Sequence, residues 1–219
     1  MGAQQEKRKV LKAKAAMRIV LPLIGSLAAM ALVATPAQAQ FSASYKFLDA
    51  VKKKKTEEVL EMMNEPGSNI VNTRDSTSGE TALHVVTARR DLQWMGFLIA
   101  RGANVNARDS SGKTPLVVAA NLGFEEGVQL LVDQKAGVDE PDSTGETPLI
   151  SAVHARKIGL MRILLRAGAN PDRKDNSGRS ARDYAMLDGK GSQLVTEIET
   201  NAKPKAQQQG AKPSYGPTF

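Results

Sequence analysis

The chain of 219 residues has no cysteine, one tryptophan and two histidines, and aromatic residues make up only 4% of it. Without cysteine there is no disulfide framework and no lipid-modified cysteine to serve as an anchor. The histidines, His84 and His154, show no metal-ligand spacing, and no nucleophile, base and orienting acid lie in near register. No Gly-Lys-Ser/Thr follows a glycine at the spacing of a phosphate loop. A catalytic site is therefore not expected, nor is a cofactor or a metal. Long apolar runs are missing too: the stretch from Ile19 to Ala34 is broken by Pro22, Gly25 and Ser26. It falls short of the roughly 20 apolar residues of a spanning helix.

Positive charge is scarcer than the net +7 implies. Residues 1–39 hold six of the 30 basic residues (Lys7, Arg8, Lys9, Lys12, Lys14, Arg18) and one of the 23 acidic ones (Glu6), which leaves 24 against 22. The tail from Ala202 takes Lys203, Lys205 and Lys212, so the body between is slightly acidic. A basic footprint is absent, and no nucleic-acid partner is expected. The basic start, the short apolar run and the small-x-small boundary Ala37-Gln38-Ala39 predict a signal peptide over residues 1–39, cleaved before Gln40, with translation starting at Met1 or Met17. No membrane span is expected after cleavage. The address this implies is the bacterial periplasm, with secretion beyond the cell left open. At the other end, residues 202–219 are rich in Pro, Gln and Lys with almost no aliphatic side chains, the composition of a disordered tail.

What the chain does have is a period. Gly79, Gly112, Gly145 and Gly178 lie 33 residues apart; Thr81, Thr114, Thr147 and Ser180 keep the same step, as do Leu83, Leu116 and Leu149, and Leu98, Leu131 and Leu164. Asp-x-x-Gly-x-Thr-x-Leu stands at 109–116 and 142–149, Thr-Ala-Leu-His at 81–84 and Gly-Ala-Asn at 102–104 and 168–170. A fixed period of this length marks a stacked repeat. These residues resemble the ankyrin repeat, a β-turn followed by two antiparallel helices. The fold class that the resemblance implies is all-α: an ankyrin-repeat solenoid of about five helix-turn-helix units with short β-turn fingers. The domain spans 40–201, with units near 44–74, 75–108, 109–141, 142–174 and 175–200.

Within that frame, Thr followed by Pro or Ala opens each inner helix, and Gly102 and Gly168 close outer helices in the left-handed conformation. The first unit lacks the Thr-Pro-Leu start; its inner helix is expected over 45–53 and its outer helix over 56–64. Lys52-Lys53-Lys54-Lys55 between them reads as a solvated helix cap, with an anionic partner as the sharper alternative. The third unit departs from the pattern, with Lys135 where a glycine is expected. One extra residue lies between Asp75 and Gly79, so the first finger is expected to be the longest and most mobile. The fifth unit, with Arg182, Asp183 and a sparsely apolar outer helix, reads as a cap that is apolar inward and polar outward. Trp94 aligns with Gly127 and Leu160, which suggests a buried indole filling space above a glycine.

Ankyrin arrays are protein-binding scaffolds, so the resemblance implies a non-enzymatic, monomeric scaffold that binds a protein partner through finger tips and a concave inner-helix face. The family's contact positions fall on Arg74, Glu80, Arg108, Lys113, Glu146, Lys174 and Arg179 in the fingers, and on Arg89, Leu122 and His154 at inner-helix ends. Charge reversal at Arg108 and Lys113 is expected to leave the fold intact. A secreted effector acting on a host protein and an envelope-bound structural factor are the alternatives.

Overall fold

The computed structural model describes residues 36–203, with side chains from residue 43 onward. The expectations for a leader over 1–39 and for a tail over 202–219 fall almost wholly on residues outside the described ones. The chain divides into two compact units, 1–41 and 42–219; apart from the first residues of one helix, everything below concerns the second. Among the described residues there are ten α-helices and no strand, with isolated β-bridges at Arg74–Thr81 and Lys174–Ser180. The helices pair as inner and outer: α1 (Pro36–Lys52) with α2 (Thr56–Asn64), α3 (Ala82–Ala88) with α4 (Leu92–Ala100), and α5 (Pro115–Asn121) with α6 (Glu125–Asp133). Then follow α7 (Pro148–His154) with α8 (Ile158–Ala167), and α9 (Ala181–Leu187) with α10 (Gln193–Asn201). The outer helix of the first unit has the expected bounds, whereas its inner helix starts nine residues before Tyr45.

The start of each inner helix follows from its first residues. Thr114 and Thr147 accept from the N–H of Val117 and Ile150, and the proline that follows each has no N–H to satisfy. Where alanine replaces proline, the third helical residue also reaches back, closing a reciprocal capping box. His84 Nδ1 accepts from the Thr81 N–H, and the Asp183 carboxylate accepts from the N–H and hydroxyl of Ser180. The periodic leucines make one continuous core: Leu83, Leu116 and Leu149 on inner helices and Leu98, Leu131 and Leu164 on outer ones are fully buried. Ala119, Ala152 and Ala185 beside them keep neighbouring inner helices close. At the far end, Leu194, Val195 and Ile198 close the stack, and Glu197, 7% exposed, is held by a two-pronged contact from Arg162 of the preceding unit.

Lys135 keeps the glycine turn rather than reshaping it. Its φ is +64°, against +85° at Gly102 and +103° at Gly168. Its N–H donates to Val132, and the Ala136 N–H to Leu131, as at the glycine turns. The cost of that conformation, of order 1 kcal/mol, is carried in the fold. The junctions between inner and outer helices contain a second left-handed row that the motifs do not announce: Arg90, Gly123, Arg156 and Gly189, joined by Lys54 in the first unit.

Candidate functional site

The fingers are built by their aspartates. Asp109 Oδ1 accepts from the N–H of Ser111 and Lys113, Asp142 Oδ1 from Thr144 and Glu146, and Asp175 Oδ1 from Ser177 and Arg179. The phenol of Tyr184 also donates to Asp175 at 2.6 Å, and this bond with the Ser177 hydroxyl and the turn N–H groups lowers the carboxyl to about 2. In the first finger the Gly79 N–H spans back four residues to Asp75, where Gly112 spans three to Asp109, so that finger is longer as expected. Successive fingers are stitched by one backbone-to-backbone bond each: Ser110 N–H to Ser78 O, Ser143 N–H to Ser111 O and Asn176 N–H to Thr144 O, all 2.9–3.0 Å. That approach explains the glycines. A Cβ on Gly79, Gly112 or Gly145 would stand 2.6–2.9 Å from the next finger's backbone nitrogen, while at Gly178, where no further finger follows, the space is open.

A second row of inter-unit ties runs beneath the fingers. Asn72 Oδ1 takes the Asn104 N–H, Asn106 Oδ1 the Gly137 N–H and Asp139 Oδ1 the Asn170 N–H, each at 2.7–2.8 Å. Asp139 does with a charged group what asparagine does in its neighbours, and burial pushes its carboxyl above the usual range despite the Asn170 N–H. His84 adds a third tie. Its Nε2 donates to Lys113 O at 2.9 Å while Nδ1 accepts from Thr81, which fixes the neutral tautomer; burial lowers its ring below the ordinary histidine value.

The ten candidate contact residues divide sharply. Arg108 is not the exposed charge expected from the sequence: its guanidinium donates to Gly112 O at 3.0 Å and Pro141 O at 2.6 Å and contacts the Glu140 carboxylate. Arg74, one unit earlier, does the same with Gly79 O and Arg108 O. Arg89 donates to Val51 O and Lys52 O and so caps the end of α1. Glu80 and Glu146 accept from Ser78 and Ser151. Lys113 is half-buried, while Leu122, His154, Lys174 and Arg179 are exposed, and the Arg179 guanidinium lies 5.8 Å over the Tyr184 ring. His154 sits edge to face with Tyr184 at 4.4 Å and 3.4 Å from Glu146. These three residues bring the fourth and fifth units into one polar cluster. It is not a nucleophile arrangement, because the buried Ser151 gives its proton to Glu146 rather than to His154.

Trp94 also differs from expectation. It is half-buried, edge to face with Phe97 at 5.7 Å and 5.9 Å beneath Arg89. The space at Gly127 belongs to Phe124, whose ring carbon would stand 2.3 Å from an added Cβ. The size compensation is thus local to one unit rather than across units.

The edge opposite the fingers, formed by the loops between inner and outer helices, carries the cations. Its five loops (52–55, 89–91, 122–124, 155–157 and 188–190) hold nine Lys or Arg against Asp91 and Asp188. The finger segments (74–80, 108–113, 141–146 and 174–179) hold five against six. Each lysine of the first loop has an acidic neighbour: Lys52 with Asp75, Lys53 with Asp49, Lys54 with Asp91 and Lys55 with Glu58. Among the described residues no His, Cys, Asp and Glu cluster could hold a metal.

Comparison with known families matches three ankyrin repeats over residues 47–142 and one more over 144–176. Among curated proteins, the chain is 43% identical over 58 residues to protein phosphatase 1 regulatory subunit 12A of Mus musculus, and equally to that of Rattus norvegicus. The aligned stretch is 26% of this chain and 6% of either relative, so the chain spans a small part of the proteins it matches.

Proposed function

Since the chain belongs to the ankyrin repeat family, a family of protein–protein interaction scaffolds, we propose that it is a non-enzymatic scaffold of the bacterial periplasm that binds its partner along the fingers and the inner-helix face. The observation that carries this reading is the division among the finger charges. Arg74 and Arg108 hold the first three fingers together, while Lys174 and Arg179 of the last finger and His154 of the inner-helix face stay exposed. A braced edge with outward charges loses little entropy on binding. The regulatory-subunit name of the relatives supports a binding role; it says nothing of this chain's partner. The mixed charges favour a polar interface weakened by salt.

The test is a photo-crosslinkable residue at position 154 or 174 in cells, followed by fractionation. A discrete adduct in the soluble periplasm is the expected result. Adducts confined to the culture medium or to the envelope pellet favour the effector or the structural-factor reading, and absence of any adduct at both positions contradicts the scaffold surface itself.

A further inference from the structure

The loop edge concentrates two features that seldom coincide on a solvated surface. Four of the five exposed large apolar side chains among the described residues lie at it: Leu92 (42% exposed), Leu122 (36%), Met186 (45%) and Leu187 (72%). The same edge holds the nine cations, and it stays positive, nine against six, when Glu57, Glu58, Glu125 and Glu126 of the adjoining first turns are counted. Its loops form a contiguous row. Lys54 pairs with Asp91 at 3.0 Å, the Arg90 guanidinium donates to Leu122 O, Lys157 lies against Gly123, and Arg156 pairs with Asp188 at 2.7 Å.

We propose that this edge docks on an anionic phospholipid bilayer, as a peripheral contact. Cations interleaved with exposed leucines match a surface that offers negative headgroups above an apolar interior. Nucleic acid would leave the leucines without a partner. Two cavities, a groove of about 340 Å3 between α6 and α8 and a smaller one beside Met63, lie away from this edge. The lysines of the first loop and Arg156 hold their acids from exposed positions, and pairs open to water contribute little and yield readily to competing anions. No helix among the described residues is long and apolar enough to cross a membrane, so the contact is with the surface. The proposal is independent of what the fingers bind.

The absence of native cysteine gives a direct test on the full chain. An environment-sensitive fluorophore is attached at Asn121→Cys on the loop edge or at Ser111→Cys on a finger of the same unit, with Ala155→Cys as a second loop-edge site should the first variant fail to fold. Vesicles of phosphatidylcholine containing phosphatidylglycerol should shift the loop-edge label to the blue and shield it from an aqueous quencher, leaving the finger label unchanged. Pure phosphatidylcholine or high salt should abolish the effect. Adding Lys157→Ala and Lys190→Ala should weaken the vesicle affinity read by the loop-edge label roughly 25-fold, about fivefold for each cation. Equal shielding at both sites, which is what a tether elsewhere in the chain would give, overturns the proposal. So does shielding of the edge by an acidic polypeptide with none by anionic vesicles.

Discussion

The two long edges of the array use charge in opposite ways. On the finger edge, charged side chains turn inward to the backbone: Arg74 and Arg108 span to the next finger, and Asp109, Asp142 and Asp175 organise the turns they begin. On the loop edge Arg89 and Arg90 also reach backbone carbonyls, but the lysines and Arg156 extend into water beside exposed leucines and meet acids there. The difference teaches that a charged residue recurring in phase with the repeat can be a structural element. Its availability to a partner is decided by whether the neighbouring unit offers it a carbonyl.

The largest expected effect breaks the finger stitch itself. Gly145→Ala forces a side chain into both a left-handed turn and the Asn176 nitrogen, at 2.6 Å from the new Cβ. It should cost roughly 3 kcal/mol by denaturant unfolding, against about 1 kcal/mol for Gly178→Ala, which carries the backbone strain alone. Equal losses at the two glycines would mean that the fingers do not support one another. Next in size is Arg108→Ala, which strands the carbonyls of Gly112 and Pro141 and should cost about 2 kcal/mol. A neutral outcome would return Arg108 to the solvated charges.

Acid acts on the same edge through His84. Because burial holds the folded ring below 6.5, the unfolded state binds more protons as pH falls below 6.5. Stability is then lost until the lowered folded value is reached, at no more than about 1.4 kcal/mol per pH unit. Thermal melts of the wild type and His84→Gln across that interval should differ in slope, the variant being the flatter. A smaller effect has the opposite sign. Asp139 has a raised carboxyl, so ionising it costs the folded state stability as pH rises from 3.8 through the folded value. Asp139→Asn, which restores the pattern of Asn72 and Asn106, should therefore stabilise by about 0.5–1 kcal/mol at neutral pH and lose that gain near pH 3.8. Melting at the two extremes checks it.

Much of this was legible in the residues. The step of 33 placed every helix pair from the second unit on, because the positions that repeat (Gly112, Thr114, Leu116, Leu131) are those whose φ, cap or burial each unit needs. The roles of Arg74, Arg89 and Arg108 were not legible. They depend on which carbonyl of the neighbouring unit lies within a guanidinium's reach, and those carbonyls belong to Arg108, Val51 and Pro141, whose side chains carry no sign of it. The aligned placement of Arg74 and Arg108 just before the turn aspartates was the available signal. Trp94 was misread for a related reason. Register gives the unit-to-unit neighbour, Gly127, but a closer neighbour on the same helical turn, Phe124, had already filled the space. The inner-to-outer junction hides its left-handed row because arginine twice stands where glycine would advertise it.

Charges that the fold does not use are the ones left for a partner. Lys113→Glu combined with Arg179→Glu changes two such side chains and leaves the ties of Arg74 and Arg108 in place. Capture of the crosslinked partner from periplasm, measured beside thermal melting, is the most direct test. The expected result is loss of the adduct with stability within about 0.5 kcal/mol of the wild type. Full retention of the adduct, or a melting loss as large as that of Arg108→Ala, would contradict it.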